Sequence, residues 1–102
     1  MKIYLDDERT TPEGWHRTYT VEETIILLET RQVEELSLDN DLGDGLKEGY
    51  VVLDLLEEMV YNDPTFPIPI IYVHSANAGR TPSMRQVVKK LDRIRQERMG
   101  GE

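Results

Sequence analysis

The 102-residue sequence contains no cysteine and no long uninterrupted run of apolar residues. Without cysteine, disulfide bonds and thiolate chemistry are excluded, and a cytoplasmic location is the natural expectation. No stretch approaches the roughly 18–20 consecutive apolar residues of a membrane-spanning helix, and the N-terminal residues do not resemble a signal peptide, so no membrane partner is expected. Aromatic residues are few, with a single Trp, and we expect them to serve packing rather than base stacking.

Positive charge is also scarce, because 20 acidic residues oppose 12 basic ones and give a formal net charge of −8. A chain this acidic does not hold a nucleic-acid backbone through bulk charge. The acidity is concentrated in residues 1–79, which hold 17 acidic and 5 basic side chains, whereas residues 80–102 hold 3 acidic and 7 basic. Since most surface carboxylates do nothing specific, solubility is the default interpretation of this charge.

The length is that of one domain, and apolar runs recur throughout it, which argues against disorder. We expect residues 1–99 to form this single domain and residues 100–102 to be a flexible tail. The predicted strands are residues 2–5, 15–19, 33–38 and 68–73, and the predicted helices are residues 20–31, 49–61 and 81–100. Strands that are apolar throughout and alternate with helices indicate a parallel sheet in an α/β fold.

Polar residues follow three of the predicted strands at the point where each strand ends. Asp6 and Asp7 follow the first, Asp39 and Asp41 follow the third, and His74 follows the last. The carboxyl ends of parallel strands form one edge of a sheet, where α/β proteins bind their ligands. Converging carboxylates repel one another unless a cation relieves them, and oxygen ligands without cysteine suit Mg²⁺. The alternative is that these aspartates are ordinary turn and cap residues.

Several residues near the same edge suit a phosphate group. Ser75 can donate a hydrogen bond to a phosphate oxygen, and His74 can act as a general acid or base. Arg9 and Arg80 are candidate phosphate clamps because guanidinium pairs with oxyanions in a bidentate manner. The alternative for His74 and Ser75 is that they satisfy backbone groups of a loop.

The order of these residues resembles a response-regulator receiver domain. That family has an acidic pair after its first strand, a phospho-accepting aspartate after its third, and Ser or Thr after its fourth. Leu42 and Gly43 fall where the family usually has Met-Pro, which favours Asp39 as the equivalent of the phospho-accepting aspartate. Counting back from Gly49 favours Asp41 instead. The chain departs from the family pattern because the usual first helix, the fifth strand and the lysine of that strand are missing.

A closer resemblance is to the compact cyclic-phosphate-processing receiver domains. Three motifs carry it: LDDERTTP at residues 5–12, SLDNDLG at residues 37–43, and HSANAG at residues 74–79 followed by Met84. The resemblance implies a three-layer αβα fold of the flavodoxin and receiver type, with a compact four-stranded parallel sheet that lacks the fifth strand. It also implies a site for a cyclic or terminal phosphate.

We therefore expect a Mg²⁺-dependent site that binds, and in the stronger hypothesis hydrolyses, a cyclic or terminal phosphate of a small molecule or of a nucleic-acid end. The expected metal ligands are Asp6, Asp7, Asp39 and Asp41, the expected catalytic residues are Asp39 and His74, and the expected phosphate-binding residues are Arg9, Ser75, Asn77 and Arg80. The alternatives are a signalling receiver phosphorylated on Asp39 and a non-catalytic interaction module. The sequence leaves the oligomeric state and the substrate open.

Overall fold

The computed structural model describes residues 1–7, 9–39, 48–74 and 81–100, apart from the side chains of Thr81 and Gly100. The described elements follow one another as strands and helices with the bounds β1 Lys2–Leu5, β2 His16–Thr18, α1 Val21–Glu29, β3 Glu35–Leu38, α2 Tyr50–Asn62, β4 Ile70–Val73 and α3 Thr81–Gly100. Every predicted strand and helix is present, and most bounds differ by one or two residues.

The four strands form one sheet in the order β2-β1-β3-β4, and all three neighbouring pairs are parallel. Leu5 pairs with Thr18 on one side and with Leu38 on the other, and Leu38 pairs with Val73, so the strands end level with one another. The predicted α/β fold with a compact four-stranded parallel sheet is confirmed. This register brings the carboxyl ends of the strands to one edge.

The described helices pack in a row against the face of the sheet that bears its fully buried apolar residues. Helix α1 packs on β1, β2 and α2, and α3 packs on α2 and β4. The two crossovers through α1 and α2 run in the same direction along the sheet, which places both helices on one face. The core contains strand and helix residues of this side, namely Ile3, Leu5, Leu36, Leu38, Ile71, Val21, Leu28, Val52, Leu53, Leu56, Val60, Met84 and Leu91. No described residue supplies a helical layer to the second face, because β1 and β2 are joined without a helix, so the described elements form two layers and not the three of the expected αβα arrangement.

The second face of the sheet, which we call the open face, bears the side chains of Tyr4, Ser37 and Tyr72, paired across β1, β3 and β4. Trp15, just before β2, lies edge-on to both tyrosines, with ring centroids 6.2 Å from Tyr4 and 6.3 Å from Tyr72. Tyr4 is only 9% exposed as a result. The Trp15 backbone N–H donates to the Pro12 carbonyl at 3.2 Å in a turn, and β2 begins one residue later than the sequence predicted.

Helix α1 begins at the predicted capping box. Thr20 Oγ1 accepts a hydrogen bond from the Glu23 backbone N–H at 3.2 Å, and Glu23 Oε1 accepts one from the Tyr19 backbone N–H at 3.1 Å. Both bonds satisfy N–H groups that have no partner inside the helix, with Glu23 reaching one residue further back than the Thr20 N–H of an ideal capping box. The helix ends at Glu29, two residues earlier than predicted, because Arg31 has a left-handed φ of 65°. No described helix is both long and apolar enough to cross a membrane.

Asp63, directly after α2, gives the folded protein an acid-sensitive contact. Hydrogen bonds from the Thr65 side chain and backbone, and then the Arg31 side chain, lower the pKa of Asp63 from 3.8 to about 2. A carboxyl group whose pKa is lower in the folded state stabilises the fold above its unfolded pKa, and this contribution is lost as the pH falls toward the folded pKa.

We therefore expect Asp63→Asn to lower the free energy of unfolding at neutral pH, and we expect this difference from the wild type to shrink between about pH 5 and about pH 3. Urea denaturation of both proteins across that range measures it. Glu58→Gln, which changes an exposed carboxylate elsewhere on α2, is the control. A difference between wild type and Asp63→Asn that is constant across the range would contradict the assignment.

Candidate functional site

Three polar residues extend the ladder of the sheet by one row beyond the strand ends. The Asp39 backbone N–H donates to the Leu5 carbonyl at 3.0 Å, and the His74 backbone N–H donates to the Leu38 carbonyl at 2.9 Å. Asp6 directly follows β1 in the same row. One ligand atom from each of Asp6, Asp39 and His74 lies within 4.8 Å of the other two. The predicted convergence at the carboxyl edge is therefore present for these three residues.

Asp6 is the most enclosed member of this site. Its side chain has no exposed surface, and Oδ1 accepts a hydrogen bond from the Arg9 backbone N–H at 2.9 Å. Oδ2 lies 2.9 Å from His74 Nε2 and 3.8 Å from Arg9 Nε. Burial of a carboxylate is costly unless hydrogen bonds and positive charge compensate for it. Asp6 is therefore held in one orientation, with both oxygens engaged.

Both ring nitrogens of His74 contact residues of the fold. Nε2 donates to the Asp6 carboxylate, since a carboxylate can only accept, and Nδ1 lies 2.6 Å from Ser37 Oγ. The ring stacks on Tyr4 with centroids 4.5 Å apart and planes 2° from parallel. Burial lowers the pKa of His74 below its ordinary 6.5, against the opposing effects of Asp6 and Asp39. A neutral ring is thereby favoured, with Ser37 O–H donating to Nδ1.

The donor atoms of the site fit a hard divalent cation. Asp6 is 0% exposed and Asp39 is 9% exposed. Proteins usually bind Mg²⁺ through one or two carboxylates, and water molecules complete its coordination shell. His74 Nε2 is already bonded to Asp6, so the carboxylates rather than the imidazole are the natural ligands. The acidic cluster can therefore hold a metal ion through oxygen atoms.

The other predicted site residues divide into two groups. Asp7 is partly buried and is not among the three converging ligand groups found in the described part of the chain. Arg9 is at the site, and its side chain is 51% exposed beside the Asp6 carboxylate. The remaining predicted residues lie outside the described residues, namely Asp41, Ser75, Asn77 and Arg80.

Tyr4 and Ser37 complete the surroundings of His74 and were not predicted as site residues. Each lies two residues before a site aspartate, Tyr4 before Asp6 and Ser37 before Asp39. Side chains two apart on a strand share a face, so this spacing was the available signal. The small Ser37 side chain leaves room for the Tyr4 and His74 rings to meet across β3.

The fold and this acidic edge together define a receiver-like α/β domain. A model of the family described as the cyclic-phosphate processing receiver domain matches residues 1–90. The chain belongs to that family, as its three sequence motifs predicted. Neither a curated protein nor a solved structure gives a significant match to the chain.

Proposed function

We propose that this protein binds a cyclic phosphate through a divalent metal ion held by Asp6 and Asp39, and that it hydrolyses the cyclic ester. The observation that carries the proposal is the row formed by Asp6, Asp39 and His74 at the carboxyl edge of the sheet. This row occurs in a chain whose family is described as the cyclic-phosphate processing receiver domain. The favoured metal is Mg²⁺, because the two carboxylates offer oxygen ligands only.

The chain prepares the metal ligands before any ligand binds. The Arg9 backbone N–H fixes Oδ1 of Asp6, while the edge position of Asp39 follows from its backbone bond to Leu5. When bound, Mg²⁺ polarises phosphoryl oxygens and makes its coordinated water more acidic. Asp7 and Asp41, which the sequence also predicted as metal ligands, stay candidates for that role.

His74 acts in this proposal as a positioning residue for Asp6. Its Nε2–H holds Asp6 Oδ2, its Nδ1 is engaged by Ser37, and Tyr4 fixes the plane of the ring. A histidine that donates a proton to the leaving group must first give up one of these two hydrogen bonds. The sequence-based role as acid or base therefore needs a rearrangement, whereas the positioning role uses the contacts that exist.

Arg9 is the described residue best placed to contact the phosphate. Its half-exposed guanidinium lies beside Asp6, where it can turn to a bound oxyanion without leaving the site. Ser75, Asn77 and Arg80 are the further proposed phosphate ligands. In the reaction, a water oxygen bonds to phosphorus and one ester P–O bond of the ring breaks. The water proton passes to the released alkoxide, which leaves a phosphomonoester and a hydroxyl group.

The proposal is tested by following 2′,3′-cyclic AMP with ³¹P NMR in the presence of purified protein and Mg²⁺. We expect the cyclic phosphodiester signal to be replaced by phosphomonoester signals, with the rate falling by about 10²-fold or more in Asp39→Asn. Glu58→Gln is the matched control, since it changes an exposed carboxylate on α2. An equal rate in the wild type and in Asp39→Asn would refute the assigned site.

A signalling receiver is the second candidate, favoured by the position of Asp39 at the carboxyl end of β3 in a receiver family. In that case acetyl phosphate with Mg²⁺ would add one phosphate to the protein by mass, and Asp39→Asn would remove the addition. Phosphorylation without hydrolysis of the cyclic nucleotide would favour this second function.

A further inference from the structure

Four aromatic rings form a continuous cluster on the open face, next to the proposed phosphate site. The cluster consists of Tyr4, Trp15, Tyr72 and His74. Trp15 contacts Tyr4 and Tyr72 edge-on, and Tyr4 stacks on His74, so the cluster runs from the middle of the sheet to the site itself. No helix among the described elements covers this face.

Tyr72 is the exposed member of the cluster. Its side chain is 47% exposed, whereas Tyr4 is 9% exposed beneath Trp15. Tyr72 precedes His74 by two residues on the same face of β4, which is about 6.6 Å along the strand at a rise of ~3.3 Å per residue. The Tyr72 hydroxyl reaches Glu35, which pairs with Ile70, so a planar group stacked on Tyr72 would lie on the open face, on the amino-end side of a phosphate at the carboxyl edge.

Polar neighbours hold Tyr72 in place. Its hydroxyl donates to Glu35 Oε1 at 3.0 Å, and Lys2 Nζ pairs with Glu35 Oε2 at 3.3 Å. Lys2 also lies 5.8 Å from the centroid of the Trp15 ring. The tyrosine is thus a fixed exposed ring with a positive charge nearby, which suits an electron-rich heterocycle better than an aliphatic group.

We propose that Tyr72, supported by Trp15, binds the base of a nucleoside cyclic phosphate whose phosphate occupies the site formed by Asp6, Asp39 and His74. This inference rests on the proposed function and adds a specificity subsite to it. The protein then distinguishes nucleoside cyclic phosphates from cyclic phosphates of polyols, because only the former carry a planar ring. Stacking accepts any base, so discrimination among the four bases is weak.

The test compares the slowly hydrolysed phosphorothioate analogues of 2′,3′-cyclic AMP and of myo-inositol 1,2-cyclic phosphate, both in Mg²⁺, by calorimetry and by the fluorescence of the single tryptophan. We expect the nucleotide to bind roughly tenfold or more tightly than the inositol compound, since stacking of one base has an effect of that order. Emission from Trp15 changes with the nucleotide and not with the inositol compound.

Two variants of one residue separate stacking from folding. Tyr72→Ala weakens nucleotide binding by roughly tenfold and leaves binding of the inositol compound within about twofold of the wild type. Tyr72→Phe keeps the ring, loses the hydrogen bond to Glu35, and retains nucleotide affinity. Equal affinity of the wild type for both compounds overturns the base subsite alone. So does a Tyr72→Ala variant that keeps wild-type affinity for the nucleotide. Binding of neither compound by the wild type overturns the proposed function together with it.

Discussion

Replacement of Asp39 by Asn should abolish the thermal response of the protein to Mg²⁺. Wild-type protein at a Mg²⁺ concentration 100 times its Kd gains about 2.7 kcal/mol of stability by mass action, which corresponds to a rise in Tm on the order of 10 °C for a domain of this size. The variant keeps an oxygen at this position but lacks the charge, and we expect less than about a quarter of that rise. Differential scanning calorimetry with and without Mg²⁺ measures both values.

The stabilities of the wild type and Asp39→Asn measured without metal also report the repulsion between the two carboxylates. Asp6 and Asp39 are both buried, and their ligand atoms lie within 4.8 Å. Two negative charges at such a distance repel by about 3 kcal/mol at an effective dielectric constant of ~20. We therefore expect Asp39→Asn to be at least as stable as the wild type without metal. Glu58→Gln should keep the full response to Mg²⁺. A full response in Asp39→Asn would contradict the metal assignment.

Removal of the His74 imidazole should have the second large effect, because among the described side chains it makes the shortest contact with Asp6. In His74→Ala the fully buried Asp6 keeps the Arg9 backbone bond, but its Oδ2 loses the donor at 2.9 Å. Because the ring is neutral, the interaction lost is a hydrogen bond to a buried carboxylate, which typically contributes about 1.5–3 kcal/mol, and we expect a fall in unfolding free energy of about 2 kcal/mol. Urea denaturation without metal measures it.

His74→Gln separates positioning from proton transfer. The Gln amide can supply an N–H donor toward Asp6 but cannot transfer a proton near neutral pH. If His74 positions Asp6, the Gln variant recovers part of the lost stability and turns over the cyclic phosphate within roughly tenfold of the wild type. If His74 is the acid or base, the Gln and Ala variants lose turnover alike. An unfolding free energy of His74→Ala within about 0.5 kcal/mol of the wild-type value would contradict the buried hydrogen bond between Asp6 and His74.

The fold was largely predictable because its signals are local. Apolar strands, helical spacing and the capping box at Thr20 and Glu23 each depend on a few neighbouring residues, and all are present in the structure. Two bounds differ through backbone geometry at the ends of the elements. Trp15 lies before β2 with its N–H on the Pro12 carbonyl, and α1 ends before Arg31, whose φ is 65°.

The site was predictable in position but not in its internal bonding. The position of each residue directly after a parallel strand was enough to predict that Asp6, Asp39 and His74 converge. In the structure β1, β3 and β4 end in the same row, which places the three residues side by side. Nothing local indicates that His74 uses both ring nitrogens, because Ser37 lies 37 residues away and Asp6 lies 68 residues away. The sequence therefore predicted His74 as an acid or base without naming its hydrogen-bond partners, and that role stays a prediction.

The most direct test is calorimetric titration of adenosine 2′,3′-cyclic phosphorothioate, a slowly hydrolysed analogue of 2′,3′-cyclic AMP, into wild-type protein, once with saturating Mg²⁺ and once with EDTA. Metal held by Asp6 and Asp39 predicts saturable one-site binding with Mg²⁺ and affinity lowered by about 10²-fold or more with EDTA. Asp39→Asn should behave with Mg²⁺ as the wild type does with EDTA. Equal affinity of the wild type in Mg²⁺ and in EDTA would contradict a metal-held phosphate at this edge of the sheet.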